Sequence, residues 1–124
     1  MADILVVDDS AVFRRMLGLM LERDGHQVRF APDGSKGLAA FEAGRPDLVI
    51  VDLAMPVMDG VAFVRRLKAS PEWSVVPVVM LTASGEIQDR DAATDIGIDG
   101  FVTKPLRSAE LVELVDGLLQ RSGS

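Results

Sequence analysis

A chain of 124 residues, 48% apolar and 26% charged, has the size and balance of one globular domain around a single core. Its 13 basic and 19 acidic side chains leave a net charge of −6, and the basic ones stand singly or as the pairs Arg14-Arg15 and Arg65-Arg66, which argues against direct nucleic-acid binding through charge. The absence of Cys excludes disulfides, thiol nucleophiles and thiolate metal sites, and the first apolar run is too short for a signal sequence or a membrane span, so a cytoplasmic protein without membrane insertion is expected.

Residues 4–7 form a continuous apolar run, the mark of a strand covered on both faces. Asp8-Asp9-Ser10 follows, then a helical pattern in which Phe13, Met16, Leu17 and Met20 recur at three-and-four spacing until Asp24-Gly25 stops it. His26 beside that glycine reads as an exposed turn residue. Residues 27–31 alternate, with Val28 and Phe30 apolar against Gln27 and Arg29, as an edge strand with one wetter face does. Pro32-Asp33-Gly34 leads into a second helix through Leu38 and Phe41, closed by Gly44 and Pro46. Leu48 to Val51 is a third buried run that delivers a single carboxylate, Asp52, at its tip. Asp59-Gly60 is a turn before a third helix that turns Val61, Val64 and Leu67 inward and Arg65, Arg66 and Lys68 outward.

Residues 78–81 make a fourth strand leading to Thr82-Ala83-Ser84-Gly85. Residues 86–96 are weakly amphipathic and should form the most loosely held helix. A short fifth strand at 101–103 meets Lys104-Pro105, and Ser108 is placed to cap a last helix striped by Leu111, Leu114, Val115 and Leu118. One domain over residues 1–121 is expected, with 122–124 as a polar tail. A stand-alone protein is the expectation from Met1 and that short tail, with Ser122-Gly123-Ser124 as the start of a linker in a longer protein as the open alternative.

Five strand-helix units imply an α/β fold: a doubly wound, five-stranded parallel sheet between helices, a three-layer sandwich. Ligands gather at the carboxyl ends of such strands, near the point where strand order reverses. Polar groups stand at those ends: Asp8 and Asp9 after strand one, Asp52 at strand three, Thr82 after strand four and Lys104 after strand five, whereas strand two ends in Ala31. Strand two therefore belongs at an edge, giving the flavodoxin-like order 2-1-3-4-5. Three carboxylates beside one lysine either rise in pKa or share a cation, and hard oxygen donors without His or Cys suit Mg²⁺. A carboxylate beside Mg²⁺ and a lysine is also a competent nucleophile toward phosphorus.

Val7-Asp8-Asp9-Ser10, Val51-Asp52 with Met55-Pro56 and Met58-Asp59-Gly60, Leu81-Thr82-Ala83, and Phe101 with Thr103-Lys104-Pro105 together resemble the receiver domain of two-component response regulators, of the CheY type. The likeness covers essentially the whole chain. It implies that Asp52 accepts a phosphoryl group from a phosphohistidine on a sensor histidine kinase or histidine phosphotransfer protein. It further implies Mg²⁺ ligation by Asp8, Asp9, Asp52 and the Ala54 carbonyl, pairing of Lys104 with Asp52 and then with the phosphoryl group, and a switch through Thr82 and Phe101. That switch would remodel the face of the fourth and fifth predicted helices and the fifth strand to control a downstream effector. The chain is expected to catalyse only its own phosphorylation and dephosphorylation, and to be a monomer, with phosphorylation-linked dimerisation open.

Ala54 and Ser84, each two residues past a site residue, are small and carry neither amide nor carboxylate to orient an attacking water, so the acyl phosphate is expected to outlive one with polar or acidic side chains at both positions. An aspartate-nucleophile phosphatase would need a general acid where Ala54 stands. A nucleotide or flavin site would need a Gly-rich loop after strand one or a stacking aromatic. A receiver-like interaction module working without phosphorylation is the remaining alternative, and it need not retain the full set Asp8, Asp9, Asp52, Thr82 and Lys104.

Overall fold

The computed structural model of the chain describes residues 2–53, 60–82, 97–104 and 107–123. In chain order these form β1 (Asp3–Val7), α1 (Ala11–Arg23), β2 (Gln27–Ala31), α2 (Gly34–Ala43), β3 (Leu48–Asp52), α3 (Gly60–Lys68), β4 (Val78–Thr82), β5 (Gly100–Thr103) and α4 (Ser108–Gly123). The expected 86–96 helix, Ala54, Ser84 and Pro105 lie outside the described residues.

All strand pairs are parallel and the order is β2-β1-β3-β4-β5, as the distribution of polar strand ends requires. Consecutive residues of a strand point to opposite faces, and here both faces are covered. Leu5, Val7, Val49 and Val51 meet Phe41 of α2 and Phe63 and Leu67 of α3. Ile4, Val6, Leu48 and Ile50 meet Leu17 and Leu21 of α1 and Leu111 and Val115 of α4. Each such side chain contributes about 1.5–3 kcal/mol when fully buried, so the central strands are firmly held between the two helix layers. This rigid middle sets the height at which β1, β3, β4 and β5 release their last residues.

Register brings those ends level. Val7 lies opposite Val51, Asp52 opposite Leu81, and Thr82 opposite Thr103, so Asp8, Asp52, Thr82 and Lys104 emerge at one edge. Two further bonds close that edge: the Leu53 N–H donates to the Leu81 carbonyl at 3.0 Å and the Lys104 N–H to the Thr82 carbonyl at 2.8 Å.

Some local expectations change. Phe30 is 46% exposed, lying across the bare backbone of Gly18 in α1 instead of inside the core. Ser108 is the first residue of α4, not its cap, because the Arg107 carbonyl already accepts the Leu111 N–H. Helix α4 continues through Gly123. His26 is a correction of more consequence, since only 8% of its side chain is exposed. Its Nδ1 accepts the Ala2 N–H, which leaves the ring proton on Nε2, 3.2 Å from Asp24 and 3.0 Å from Asp116. The group thus works as a hydrogen-bonded clamp between the end of α1 and α4, with no imidazole lone pair left for a cation.

Candidate functional site

Asp8 is the first residue beyond β1 and is fully buried. Its backbone is held from both sides: the N–H donates to the Ala31 carbonyl at 3.1 Å, and Arg14 Nη1 donates to its carbonyl at 2.6 Å. Asp8 Oδ1 accepts the Ser10 N–H at 2.9 Å, while Ser10 Oγ accepts the Phe13 N–H at 3.2 Å and caps α1. The helix start is thereby capped by Ser10, which frees Asp8 Oδ2 to face the interior of the site. That oxygen is buried and has no hydrogen-bond donor among the described residues.

Asp52, 5% exposed, ends β3 beside it. Carboxylate oxygens of Asp8, Asp9 and Asp52 all lie within 4.8 Å of one another, Asp9 being the exposed member. Lys104 reaches in from the end of β5: Nζ donates to Asp52 Oδ2 at 3.3 Å and stands 4.0 Å from Asp8 Oδ2. The same ammonium lies over the Phe13 ring, 4.5 Å from its centroid. Thr82 is 8% exposed at the end of β4, and Phe101, half-buried, lies one residue into β5 opposite Met80.

The electrostatics follow from this crowding. Burial is the main reason the Asp8 carboxyl lies above its ordinary value. The Ser10 N–H pulls it down, the Asp52 charge raises it, Lys104 lowers it, and Asp9 raises it further. A divalent cation held by oxygens would answer both the like-charge repulsion and the Asp8 oxygen that lacks a hydrogen-bond donor among the described residues. The donor set, carboxylates with no nitrogen or sulfur, fits a hard ion.

Three contributors escape a reading of the sequence. Gly60 reads as a turn glycine, yet a Cβ there would fall 2.6 Å from the Asp52 carbonyl oxygen and 2.8 Å from Leu53 Cα. Its N–H donates to the Leu53 carbonyl at 2.9 Å, so α3 starts directly against the strand end that carries Asp52. Arg14 stands in the sequence only as half of a basic pair; its place one turn into a capped helix that follows Asp8 was the available signal. Phe13 reads as core alone, and its helix-side partners do lie in the α1 and α4 layer.

The model of the response regulator receiver domain family matches residues 4–116. The chain is 42% identical over 120 residues to the transcriptional regulatory protein CseB of Streptomyces avermitilis, covering 97% of this chain and 50% of that one. It spans about half the length of the transcriptional regulators it matches. Among solved structures, the signal receiver domain of a signal transduction histidine kinase from Syntrophus aciditrophicus superposes with a TM-score of 0.90 at 35% identity, over 97% of this chain and 91% of that one. The Vibrio cholerae chemotaxis protein CheY4 does so with a TM-score of 0.89 at 31% identity, over 95% and 98%.

Proposed function

The chain belongs to the family of response regulator receiver domains, and from that premise we propose that it is the phosphorylation-controlled switch of a two-component phosphorelay, with Asp52 as phosphoacceptor. As a receiver it is a regulator of two-component signalling, not an enzyme with a separate substrate. The donor is a phosphohistidine on a sensor histidine kinase or histidine phosphotransfer protein, met in the cytoplasm. The observation that carries this reading is the acid cluster itself: a buried Asp8 oxygen with no hydrogen-bond donor among the described residues, beside Asp52, with one lysine ion-paired to both.

An Asp52 carboxylate oxygen attacks phosphorus, a P–O bond forms as the P–N bond breaks, and the electron pair returns to the imidazole, which takes up a proton from water. Asp8, Asp9, Asp52 and the Ala54 carbonyl would hold Mg²⁺, which when bound would supply positive charge to offset that of the phosphoryl oxygens. Lys104 starts paired with Asp52 and shifts its ammonium to a phosphoryl oxygen once Asp52 is an acyl phosphate, so its charge stays matched throughout. The Thr82 hydroxyl donates to a second oxygen, and Phe101 turns into the space that Thr82 vacates. The surface built on β5, α4 and the segment between β4 and β5 then changes for a downstream effector.

Incubating the protein with Mg²⁺ and a small acyl-phosphate donor tests this. Intact-mass measurement is expected to show one phosphoryl adduct, absent without Mg²⁺ and absent in Asp52→Asn. No adduct on the wild-type protein at any Mg²⁺ concentration would sink the proposal in favour of an interaction module that works unphosphorylated.

A further inference from the structure

We infer that Phe13 is a positioning residue for Lys104, its ring forming the wall that keeps the ammonium at the mouth of the acid cluster; this rests on the reading of Lys104 as the partner of Asp52 and of its phosphoryl group. Lys104 needs such a wall. Its backbone is fixed by the bond from its N–H to the Thr82 carbonyl, but beyond that a flexible four-carbon stem must deliver Nζ to Asp52. The side chain is 30% exposed, so water competes for the ammonium at every moment.

Two carboxylates attract the ammonium from one side, Asp52 at 3.3 Å and Asp8 at 4.0 Å. The Phe13 ring, 4.5 Å away at its centroid, attracts it as well, since the electron-rich face of an aromatic ring draws a cation within about 6 Å. The ring itself is well held. Its backbone N–H is bound by the capping Ser10 Oγ, and its body packs against the core layer between the sheet and α1 and α4.

A ring suits this task in a way that another acid would not. It attracts Nζ without adding negative charge to a site that already crowds three carboxylates. It also accepts no directed hydrogen bond, so the ammonium can pass from a carboxylate oxygen to a phosphoryl oxygen while staying over the same face.

The substitution series Phe13→Leu, Phe13→Tyr and Phe13→Trp separates this role from simple core filling, because leucine keeps the apolar volume and the other two keep the aromatic face. The first readout needs neither metal nor phosphoryl donor: the Lys104 ε-methylene protons are expected to be shifted upfield by the ring in the wild type and both aromatic variants, and to return to ordinary lysine positions in Phe13→Leu. The second is the rate of adduct formation at Asp52 with Mg²⁺ and a small acyl phosphate, expected to fall about two- to fivefold in Phe13→Leu and to be restored by Tyr or Trp. An unshifted lysine resonance in the wild type overturns the contact. A lost shift with an unchanged rate, or a rate lowered equally in all three variants, overturns the positioning role. A wild type that shows the shift but takes no phosphoryl group overturns the function assigned to Asp52, and the positioning role with it.

Discussion

Asp8 carries its carboxylate where the core offers it little: one oxygen takes the Ser10 N–H, and the other has no donor among the described residues. Below its ordinary value of 3.8 the group is protonated in both folded and unfolded chains. As pH rises past that value the unfolded chain releases the proton first, so the fold loses stability until the raised folded value is passed, and the loss is constant above it. Asparagine keeps the acceptor for Ser10 and removes the like charge. In metal-free buffer Asp8→Asn is therefore expected to be more stable near neutrality, with the gain shrinking in acid. Thermal melts of both proteins across that pH range check it; a gain that grows in acid contradicts it. Mg²⁺ should reverse the ranking, since at about a hundred times its dissociation constant it stabilises the wild type by about 2.7 kcal/mol and the variant far less. Ala54 and Ser84 belong to the same scale. If small side chains there spare the acyl phosphate from hydrolysis, Ala54→Asn with Ser84→Glu speeds loss of label from phospho-Asp52 by up to about a hundredfold. An unchanged rate would remove that explanation of lifetime.

Among the elements, α3 shows most clearly how the scaffold serves the site. Its first residue, Gly60, touches the backbone of Asp52 and Leu53, with no room for a methyl group. Gly60→Ala is expected to cost about 1–3 kcal/mol and to lower phosphoryl uptake by displacing β3 from α3. Gly117 on α4 meets nothing within 4 Å, so Gly117→Ala should instead stabilise by about 0.5–1 kcal/mol without touching uptake. Denaturant titrations of the pair read both signs. The contrast also shows where sequence reading stops. A strand covered on both faces must be a continuous apolar run, so residues 48–51 and 78–81 declare themselves, and the acid or hydroxyl that ends each run is visible by contrast. A glycine after Asp59 reads as a turn whatever it touches, because the close approach to Asp52 is a tertiary distance that no local pattern encodes. Val61 packs half-buried against the same core as Val64 and Leu67, as the helical spacing indicated, and the spacing missed only Phe63, which is fully buried with its ring edge-on to Phe41.

At the scale of the whole molecule, the edge place of β2 was legible because its end carries no polar group for the site, and the observed order β2-β1-β3-β4-β5 leaves that end outside the gathered charge. The clamp at the opposite end was not, because His26 and Asp116 are 90 residues apart in sequence and each alone looks solvated. His26→Ala removes a buried side chain that joins Ala2, Asp24 and Asp116, and is expected to cost about 1–3 kcal/mol while leaving phosphoryl uptake intact. Loss of uptake on a still-folded His26→Ala protein would mean that the two ends of the sheet are coupled. The sheet thus divides labour, holding chain elements together at one end and gathering charge at the other. The central claim is that this gathered charge exists to make Asp52 take a phosphoryl group. Borohydride reduction of the protein after phosphorylation, followed by peptide mass mapping, tests it most directly, because an acyl phosphate of aspartate is reduced to homoserine. Homoserine at position 52 is the predicted result. Homoserine at Asp8 or Asp9, or at no position, contradicts the account.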